Sequence, residues 1–420
     1  MMTFALHRSV LTALVFMGET ALVAAQHVQL PVRDVQLSDA PADVWTIGAI
    51  EGADWEMFSG IRSVAFDRSD NLHVLDGQNL RVLVFDAAGR YQRQFGSRGG
   101  GPGEFQAPVS MTVLANDEVV VNDLGNRVWI IFDPSGAFVR SVPHHQSVGM
   151  PLGTMHAHPL GILSRAAPVG RGPDAAPGEV SVFIQPLVPN AAPITLLGIP
   201  APPPQVIDRS SGDGERRIAS IRMDPVFGSR PSYGALPDGG VALHADTEYT
   251  VRVVDRAGGP VRTITRAIEP RQVTEEDREQ WQERQRSGEG ISGSTIAVRV
   301  DAGAGSRSVS IGGAGGGARQ PAGGPAMTFD LANTPFAETM AVVTGLRTDP
   351  AGRIWVQRRA ADATDAGPID LITAAGHYIG TLPPQPLPGA ISASGLAAYV
   401  ERDEHGVERV AVRRLPAGWM

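Results

Sequence analysis

Residues 72–89 read LHVLDGQNLRVLVFDAAG, and residues 119–136, 47 positions later, read VVVNDLGNRVWIIFDPSG. Each stretch holds two short apolar runs, an Asp at the end of the first run and an Asp-x-x-Gly turn after the second. Residues 241–258, VALHADTEYTVRVVDRAG, repeat the same alternation of runs and turn. A period of about 40 to 50 residues is typical of the four-stranded blades of β-propellers.

A double spacing supports the same interpretation. In each copy a Phe lies 14 residues before the first strand residue, and the turn Asp lies 14 residues after it. The residues concerned are Phe58, Phe105 and Phe227, and Asp86, Asp133 and Asp255. A β-sandwich also has short strands but does not predict this spacing, and the Gly-rich turns leave no room for the helices of a parallel α/β fold. The sequence therefore predicts an all-β propeller.

The number of blades follows from the length of the repeated region. One propeller domain is expected over residues 43–416, and without an insertion at 267–334 it holds about six and a half periods of a typical blade. Six blades fit best, and seven is the alternative, because residues 143–226 must hold a degraded blade. The hairpin at 396–413 lacks an outer strand. We expect residues 44–47 to complete that last blade and so close the ring, leaving no exposed sheet edges there.

Composition excludes several classes of function. The 420 residues include no Cys, so disulfides, thiolate nucleophiles and Cys-ligated zinc are excluded. All 36 basic residues are Arg, and 44 acidic residues give a net charge of −8. That balance argues against a nucleic-acid partner, since such a protein needs a surface that neutralises phosphates.

The amino terminus resembles a targeting signal. Residues 1–25 hold Arg8, an apolar run from Val10 to Met17 and small residues before Gln26. This pattern predicts a cleaved signal peptide and a secreted or periplasmic protein. No later apolar stretch approaches the roughly 20 residues that a membrane-spanning helix needs.

Two motifs carry a family resemblance. Residues 95–105, FGSRGGGPGEF, resemble the blade junction of NHL-type propellers, and residues 74–82, VLDGQNLRV, resemble the V-x-D-x-x-N-x-R-V phrase of the same family. In residues 121–128 the Arg comes one position early. The chain is thus similar to exported six-bladed propeller proteins of bacteria. The resemblance implies a functional surface around the central channel, and it fixes no catalytic motif.

The insertion at 267–334 interrupts the repeat between the fourth and fifth blades. Thr274 followed by Glu275, Glu276 and Asp277 is typical of a helix start, and predicts one amphipathic helix of about 13 residues. The Gly-rich stretch 287–325 is expected to be a flexible loop, with a hairpin at 295–311 as one alternative. The insertion could form a lid over the channel, or it could be a solvent-exposed loop without a function; the sequence leaves both alternatives open.

Five residues are candidate ligand-binding groups. Arg347 replaces a small residue of the earlier inner strands, and a guanidinium at the channel suits a carboxylate or phosphate. Trp355 and Arg358 follow on the next strand, Arg62 lies beside the first inner strand, and His244 ends a second strand. The alternative is structural: each Arg pairs with an Asp of a neighbouring blade, and the Trp fills the wedge between sheets.

Catalytic and metal motifs are weak. His156 and His158 would share one face of a strand and so could share a metal, but no third ligand is evident. The Asp residues that recur at turns, namely Asp76, Asp123, Asp86, Asp133 and Asp255, are interpreted as bonding to their own backbone two residues on. No G-x-S-x-G elbow occurs.

Three hypotheses of function remain. The first is a non-catalytic binding or scaffold propeller without a cofactor, whose channel mouth holds a small anion, a peptide or another exported protein. The second is a metal-dependent hydrolase or lyase of the lactonase or amidating-lyase kind, with bound Ca or Zn. The third is an accessory module of an envelope complex that binds its partner through the insertion. The fold alone selects none of these.

Overall fold

A computed structural model describes residues 25–167, 178–200, 205–210, 216–221, 224–287, 296–300, 307–311 and 334–419. The predicted signal peptide and the Gly-rich run at 312–317 lie outside these residues.

Six antiparallel sheets form the body of the structure, and we number them as blades in chain order. Within each blade the strands are named inner, second, third and outer. Blade 1 comprises Ile61–Phe66, Leu72–Asp76, Arg81–Phe85 and Tyr91–Phe95. Blade 2 comprises Pro108–Val113, Val119–Asp123, Val128–Phe132 and Phe138–Pro143. Blade 3 comprises the two short inner strands Met150–Pro151 and His156–His158, then Gly161–Ala167, Glu179–Gln185 and Ile194–Pro200.

The remaining blades follow the same order. Blade 4 comprises Ser232–Ala235, Val241–His244, Thr250–Val254 and Pro260–Thr265. Blade 5 comprises Val343–Thr348, Arg353–Arg358, Ile369–Thr373 and Tyr378–Leu382. Blade 6 comprises Ala390–Ile391, Leu396–Arg402, Glu408–Arg414 and, as its outer strand, Ala42–Ile47. The degraded repeat at 143–226 therefore holds one blade.

Burial along the strands explains their order. In blade 1 every residue of Leu72–Asp76 and Arg81–Phe85 is buried, whereas the outer strand Tyr91–Phe95 alternates between half-buried and exposed positions. A strand covered on both faces has a continuous run of apolar residues, whereas a strand at the rim alternates apolar and polar residues. The sequence of each repeat thus specifies which strands lie in the middle of the blade.

Seven hydrophobic clusters are buried among the described residues, and six of them lie one between each pair of neighbouring blades; the seventh joins Val226, Phe227, Met340 and Ala363 beside the insertion. Representative pairs are Val82 with Met111, Val120 with Ile162, Val182 with Val241, Val251 with Val343, Trp355 with Tyr399, and Val64 with Val412. The last pair joins blade 1 to blade 6, so the ring is closed. The fold is a six-bladed β-propeller.

The amino-terminal segment fastens the ring. Ala42–Ile47 pairs antiparallel with Glu408–Arg414 and completes blade 6, which confirms the predicted closure. Upstream, Gln26–Gln29 pairs in parallel with the outer strand of blade 4. The chain then crosses blade 5, where Val35 and Leu37 form backbone hydrogen bonds with Thr381. Residues 26–37, the N-terminal strap, therefore join blade 4 to blade 5.

The recurring Asp residues have two different roles. The amides of Ala88, Ser135 and Ala257 donate to the side chains of Asp86, Asp133 and Asp255 at 2.8–3.0 Å, as predicted for turn residues.

The interpretation of Asp76 and Asp123 as the same kind of turn residue is wrong. Asp123 accepts hydrogen bonds from the amides of Gln106 at 2.7 Å and Ala107 at 3.1 Å, and Asp76 accepts one from Ser59. These partners lie 16 or 17 positions earlier in the chain, so the two carboxylates tie the loop after the second strand to the loop that enters the blade.

The insertion after blade 4 contains the helix Glu275–Ser287. Asp277 and Thr274 cap its start, and Trp281 packs edge-on against Phe336 at 5.5 Å between ring centroids. Two hairpins, Gln205–Ser210 with Arg216–Ile221 and Ile296–Val300 with Arg307–Ile311, form a separate four-stranded sheet.

Substitution of Trp45 tests how much the contact between blades 6 and 1 contributes to stability. Its indole lies on the third strand of blade 1, with its ring centroid 6.2 Å from that of Phe85, and its Nε1 donates to Ala87 O at 3.1 Å. Because Trp45 is half-buried, Trp45→Ala should lower the free energy of unfolding by about 2–3 kcal/mol. The control Val44→Ala, at an exposed neighbour, should cost less than about 0.5 kcal/mol. Urea denaturation measures both, and equal losses would contradict the account.

Candidate functional site

The inner strands surround a central channel. Those of blades 1 to 5 contact one another in turn, and that of blade 6 contacts blade 1. Three consecutive blades contribute polar side chains to this region: His156 from blade 3, Tyr233 from blade 4 and Arg347 from blade 5. Arg165, on the second strand of blade 3, lies beside them. We call these four residues the channel cluster.

Two glycines allow these groups to come together. A Cβ atom at Gly234 would lie 2.5 Å from Oγ1 of Thr348, whose hydroxyl donates to Ala235 O at 2.7 Å. Only glycine permits this approach of the inner strands of blades 4 and 5. At Gly153, where φ is +147°, a Cβ atom would lie 3.0 Å from the Tyr233 hydroxyl and 3.5 Å from Cβ of Arg165.

The two rings of the cluster are held in place. His156 and Tyr233 pack at 75°, with their centroids 5.5 Å apart. The Tyr233 hydroxyl donates to Thr154 O at 2.8 Å. These contacts leave little freedom to either ring, so the cluster is preorganised.

Arg347 is the unusual member of the cluster. Its Nε is buried without a hydrogen-bond partner, and no carboxylate among the described residues forms an ion pair with it. Burial lowers the pKa of Arg347, and the nearby Tyr233 offsets this only in part. The residue as a whole is half-buried, and a partly buried charge without a counter-ion costs folding free energy. Such a cost is typical of a functional site.

Burial also fixes the charge of the cluster. It lowers the pKa of His156 to about 3, with a further contribution from Arg347, and it raises the pKa of Tyr233 to about 12. At neutral pH the imidazole is therefore uncharged and the phenol keeps its proton. Arg165 and Arg347 supply the charge of the cluster, which is positive.

Arg358 does not belong to this cluster. Its guanidinium pairs with Asp34 at 2.7 Å and with Asp370 at 3.3 Å. Arg266 is fully buried between the same two carboxylates, at 2.6 and 2.7 Å. Arg358 therefore helps to hold the N-terminal strap against blade 5, and its interpretation as a ligand-binding residue is corrected to the structural alternative.

Trp355 is also structural. It is 0% exposed in the core between blades 5 and 6, where it packs edge-on against Trp419 and donates from Nε1 to Asp349 at 2.9 Å. The predicted binding role is wrong because no part of the ring reaches the channel surface. At this position of the repeat, the Trp side chain fills the space between two neighbouring blades.

His244 and Arg62 differ in accessibility. His244 is 2% exposed, and its Nδ1 donates to Thr250 O at 2.9 Å, so the ring is not presented to a ligand and the predicted binding role is not supported. Arg62 is exposed at the start of the inner strand of blade 1 and lies over Gly77. It forms no ion pair with a described residue, and its binding role stays a prediction.

The predicted pairing of His156 and His158 on a metal has a local obstacle. Both ring nitrogens of His158 are in use, since Nε2 donates to Gly239 O at 2.8 Å and Nδ1 accepts from the amide of Leu160 at 3.1 Å. Within the described parts of the chain no three His, Asp or Glu side chains come together as a metal site requires.

Sequence reasoning nominated Arg347, whose binding role stays a prediction, and did not nominate Tyr233 or Arg165. Tyr233 occupies the inner-strand position that holds Val64 in blade 1 and Met111 in blade 2, so the change from an aliphatic side chain to a phenol was a usable signal. Arg165 lies in the degraded blade, where the repeat gives no reference position.

Comparison with known proteins supports the fold. Residues 49–146 match a family model described as 6-bladed beta-propeller, and no curated protein matches the chain. The NHL subfamily stays a prediction. No helix in the described ranges is long and apolar enough to cross a membrane.

Several solved structures resemble the chain. A protein from Bacteroides fragilis named as exported is 9% identical, with 94% of this chain and 100% of that chain covered and a TM-score of 0.44. A member of a family of unknown function from Bacteroides vulgatus is 10% identical, with 89% and 98% covered and a TM-score of 0.48. A gluconolactonase from Xanthomonas campestris is 11% identical, with 89% and 87% covered and a TM-score of 0.38. At these identities the likeness concerns the fold alone.

The pKa of His156 predicts a pH dependence of stability. In the unfolded chain His156 takes up a proton near pH 6.5, whereas in the folded protein it stays neutral down to about pH 3. Stability contributed by the neutral ring is therefore present above pH 6.5 and is lost as the pH falls, by up to about 1.4 kcal/mol per pH unit.

His156→Gln should reduce this loss between about pH 6.5 and pH 5, as measured by urea denaturation across that range. His405→Gln, at a side chain that is 68% exposed, is the control and should leave the pH profile unchanged. An identical profile for His156→Gln and the wild type would show that His156 is protonated in the folded protein.

Proposed function

We propose that this chain is an exported binding propeller that holds a small anionic ligand in its channel, at Arg347. The observation that carries the proposal is the guanidinium of Arg347, whose buried Nε has no partner and which pairs with no carboxylate of the described residues. A carboxylate or phosphate would supply both the missing acceptor and the missing negative charge.

The rest of the cluster supports an anionic ligand over a cation. His156 is neutral and Tyr233 keeps its proton, so neither adds the negative charge that would attract a cation. The half-buried ring of His156 offers an apolar wall beside a charged anchor, and Tyr233, which is 6% exposed, packs behind that ring. Binding sites for small molecules combine such walls with a few convergent polar groups.

The proposed export rests on the signal-like sequence of residues 1–25. The hydrolase or lyase hypothesis needs converging metal ligands, and the described residues bring no such group together. The contact of an envelope partner with the insertion stays a prediction, because much of 267–334 lies outside the described residues.

Arg347→Gln tests the proposal. Thermal unfolding would be followed with butyrate or inorganic phosphate at constant ionic strength, since a ligand that binds only the folded state stabilises it by about 2.7 kcal/mol at 100 times its Kd. The wild type should be stabilised by at least one of these anions, and Arg347→Gln should lose that response. Arg68→Gln, at a surface Arg paired with Asp117, should keep it.

Stability without ligand separates a binding role from a structural one. Arg347→Gln should not lower the unfolding temperature, because it removes an uncompensated charge. Arg266→Gln removes a fully paired buried Arg and should cost about 3–5 kcal/mol. Equal anion responses in Arg347→Gln and the wild type, or a large loss of stability in Arg347→Gln, would contradict the proposal.

A further inference from the structure

Arg230 extends the positive charge of the channel cluster. It lies two residues before the inner strand of blade 4, is partly exposed, and has Nε 3.8 Å from the carboxylate of Asp224. Arg165 is close enough to lower the pKa of Arg230, after the larger effect of burial. Three arginines, Arg165, Arg230 and Arg347, therefore approach the region around Tyr233.

The carboxylates of this region do not balance the arginines. Asp224 pairs loosely with Arg230, while neither Arg165 nor Arg347 pairs with a carboxylate in the described part of the chain. Arg165 has one long hydrogen bond, from Nε to Leu152 O at 3.5 Å. Beside it the side chain of Ser164 is 0% exposed and lies against Tyr233. Two positive charges are thus left without a carboxylate partner among the described residues.

The two uncompensated arginines occupy separate places. Arg347 belongs to the inner strand of blade 5 and Arg165 to the second strand of blade 3, so blade 4 with Tyr233 lies between them. The packed rings of His156 and Tyr233 occupy the same region, and Gly153 lies close to both the Tyr233 hydroxyl and Arg165, at 3.0 and 3.5 Å from a Cβ built on it.

We infer that the channel binds a small molecule with two separate anionic groups, one at Arg347 and the other at Arg165 and Arg230. This rests on the proposed function and names the class of ligand. A dicarboxylate or a phosphorylated organic acid has this chemistry, and its uncharged middle would lie against the ring of His156. Each acidic group would form charge-assisted hydrogen bonds with a guanidinium.

Calorimetric titration with butyrate, succinate, glutarate and inorganic sulfate at constant ionic strength tests the inference. The wild type should bind succinate or glutarate about tenfold more tightly than butyrate, since a second charge-assisted contact contributes at least that much. Arg165→Gln should reduce the dicarboxylate affinity to the level of butyrate and leave butyrate binding unchanged. Arg347→Gln should weaken both.

Controls keep the outcomes separate. Arg230→Gln is a second variant of the same subsite, for use if Arg165→Gln does not fold, and Arg252→Gln, at an exposed Arg of blade 4 paired with Asp246, should have no effect. If butyrate binding depends on Arg347 but neither dicarboxylate binds more tightly than butyrate, the anion site at Arg165 and Arg230 is overturned. The proposed function at Arg347 is then left intact. Sulfate binding as tight as that of the dicarboxylates would show one shared anion site. No binding of any probe would overturn the proposed function itself.

Discussion

Each blade of this protein has two apolar faces and can cover neither of them alone. The second and third strands of blade 1 are buried at every residue, and each face packs against a different neighbour. Six blades satisfy this requirement only if the last meets the first. The strand Ala42–Ile47 stabilises the contact between blades 6 and 1, because it completes blade 6 while Trp45 packs on blade 1. Closure then brings side chains of three different blades to one channel.

The arginines of the chain fall into two electrostatic classes. Arg266 is buried between Asp34 and Asp370, and Arg358 shares both carboxylates. These groups fasten the N-terminal strap, and each charge has a partner. Arg347 is half-buried, and its buried Nε has no acceptor. A folded chain can tolerate such a charge when the remainder of the core is well packed, and the cost of keeping it is consistent with binding an anion.

Much of the architecture could be predicted from the sequence because the repeat encodes it directly. The 47-residue spacing of Leu72 and Val119 predicted the blades, and the missing outer strand of the last hairpin predicted the closure. Arg347 was nominated because it departs from the repeat, and its binding role stays a prediction. The same logic failed for Trp355 and Arg358, since a repeat position gives the strand but does not give the neighbour that the side chain meets. Burial and ion pairing depend on the adjacent blade, which a single repeat does not describe.

The channel cluster was harder to predict for a related reason. His156 and Tyr233 lie 77 positions apart in the chain, and His156 and Arg165 lie in the blade whose repeat is degraded. No local spacing relates Arg165 to Arg347. The two residues come close only because successive blades are arranged around a common axis. Their proximity therefore depends on the closed propeller and not on any local sequence pattern.

Anomalous diffraction from crystals grown with 3-bromopropionate tests the central claim most directly. The account predicts a bromine peak in the channel, with the carboxylate of the ligand hydrogen-bonded to the guanidinium of Arg347, and no such peak in Arg347→Gln crystals grown in the same way. An Arg347 guanidinium paired with a carboxylate of its own chain, in a channel without bromine, would contradict it.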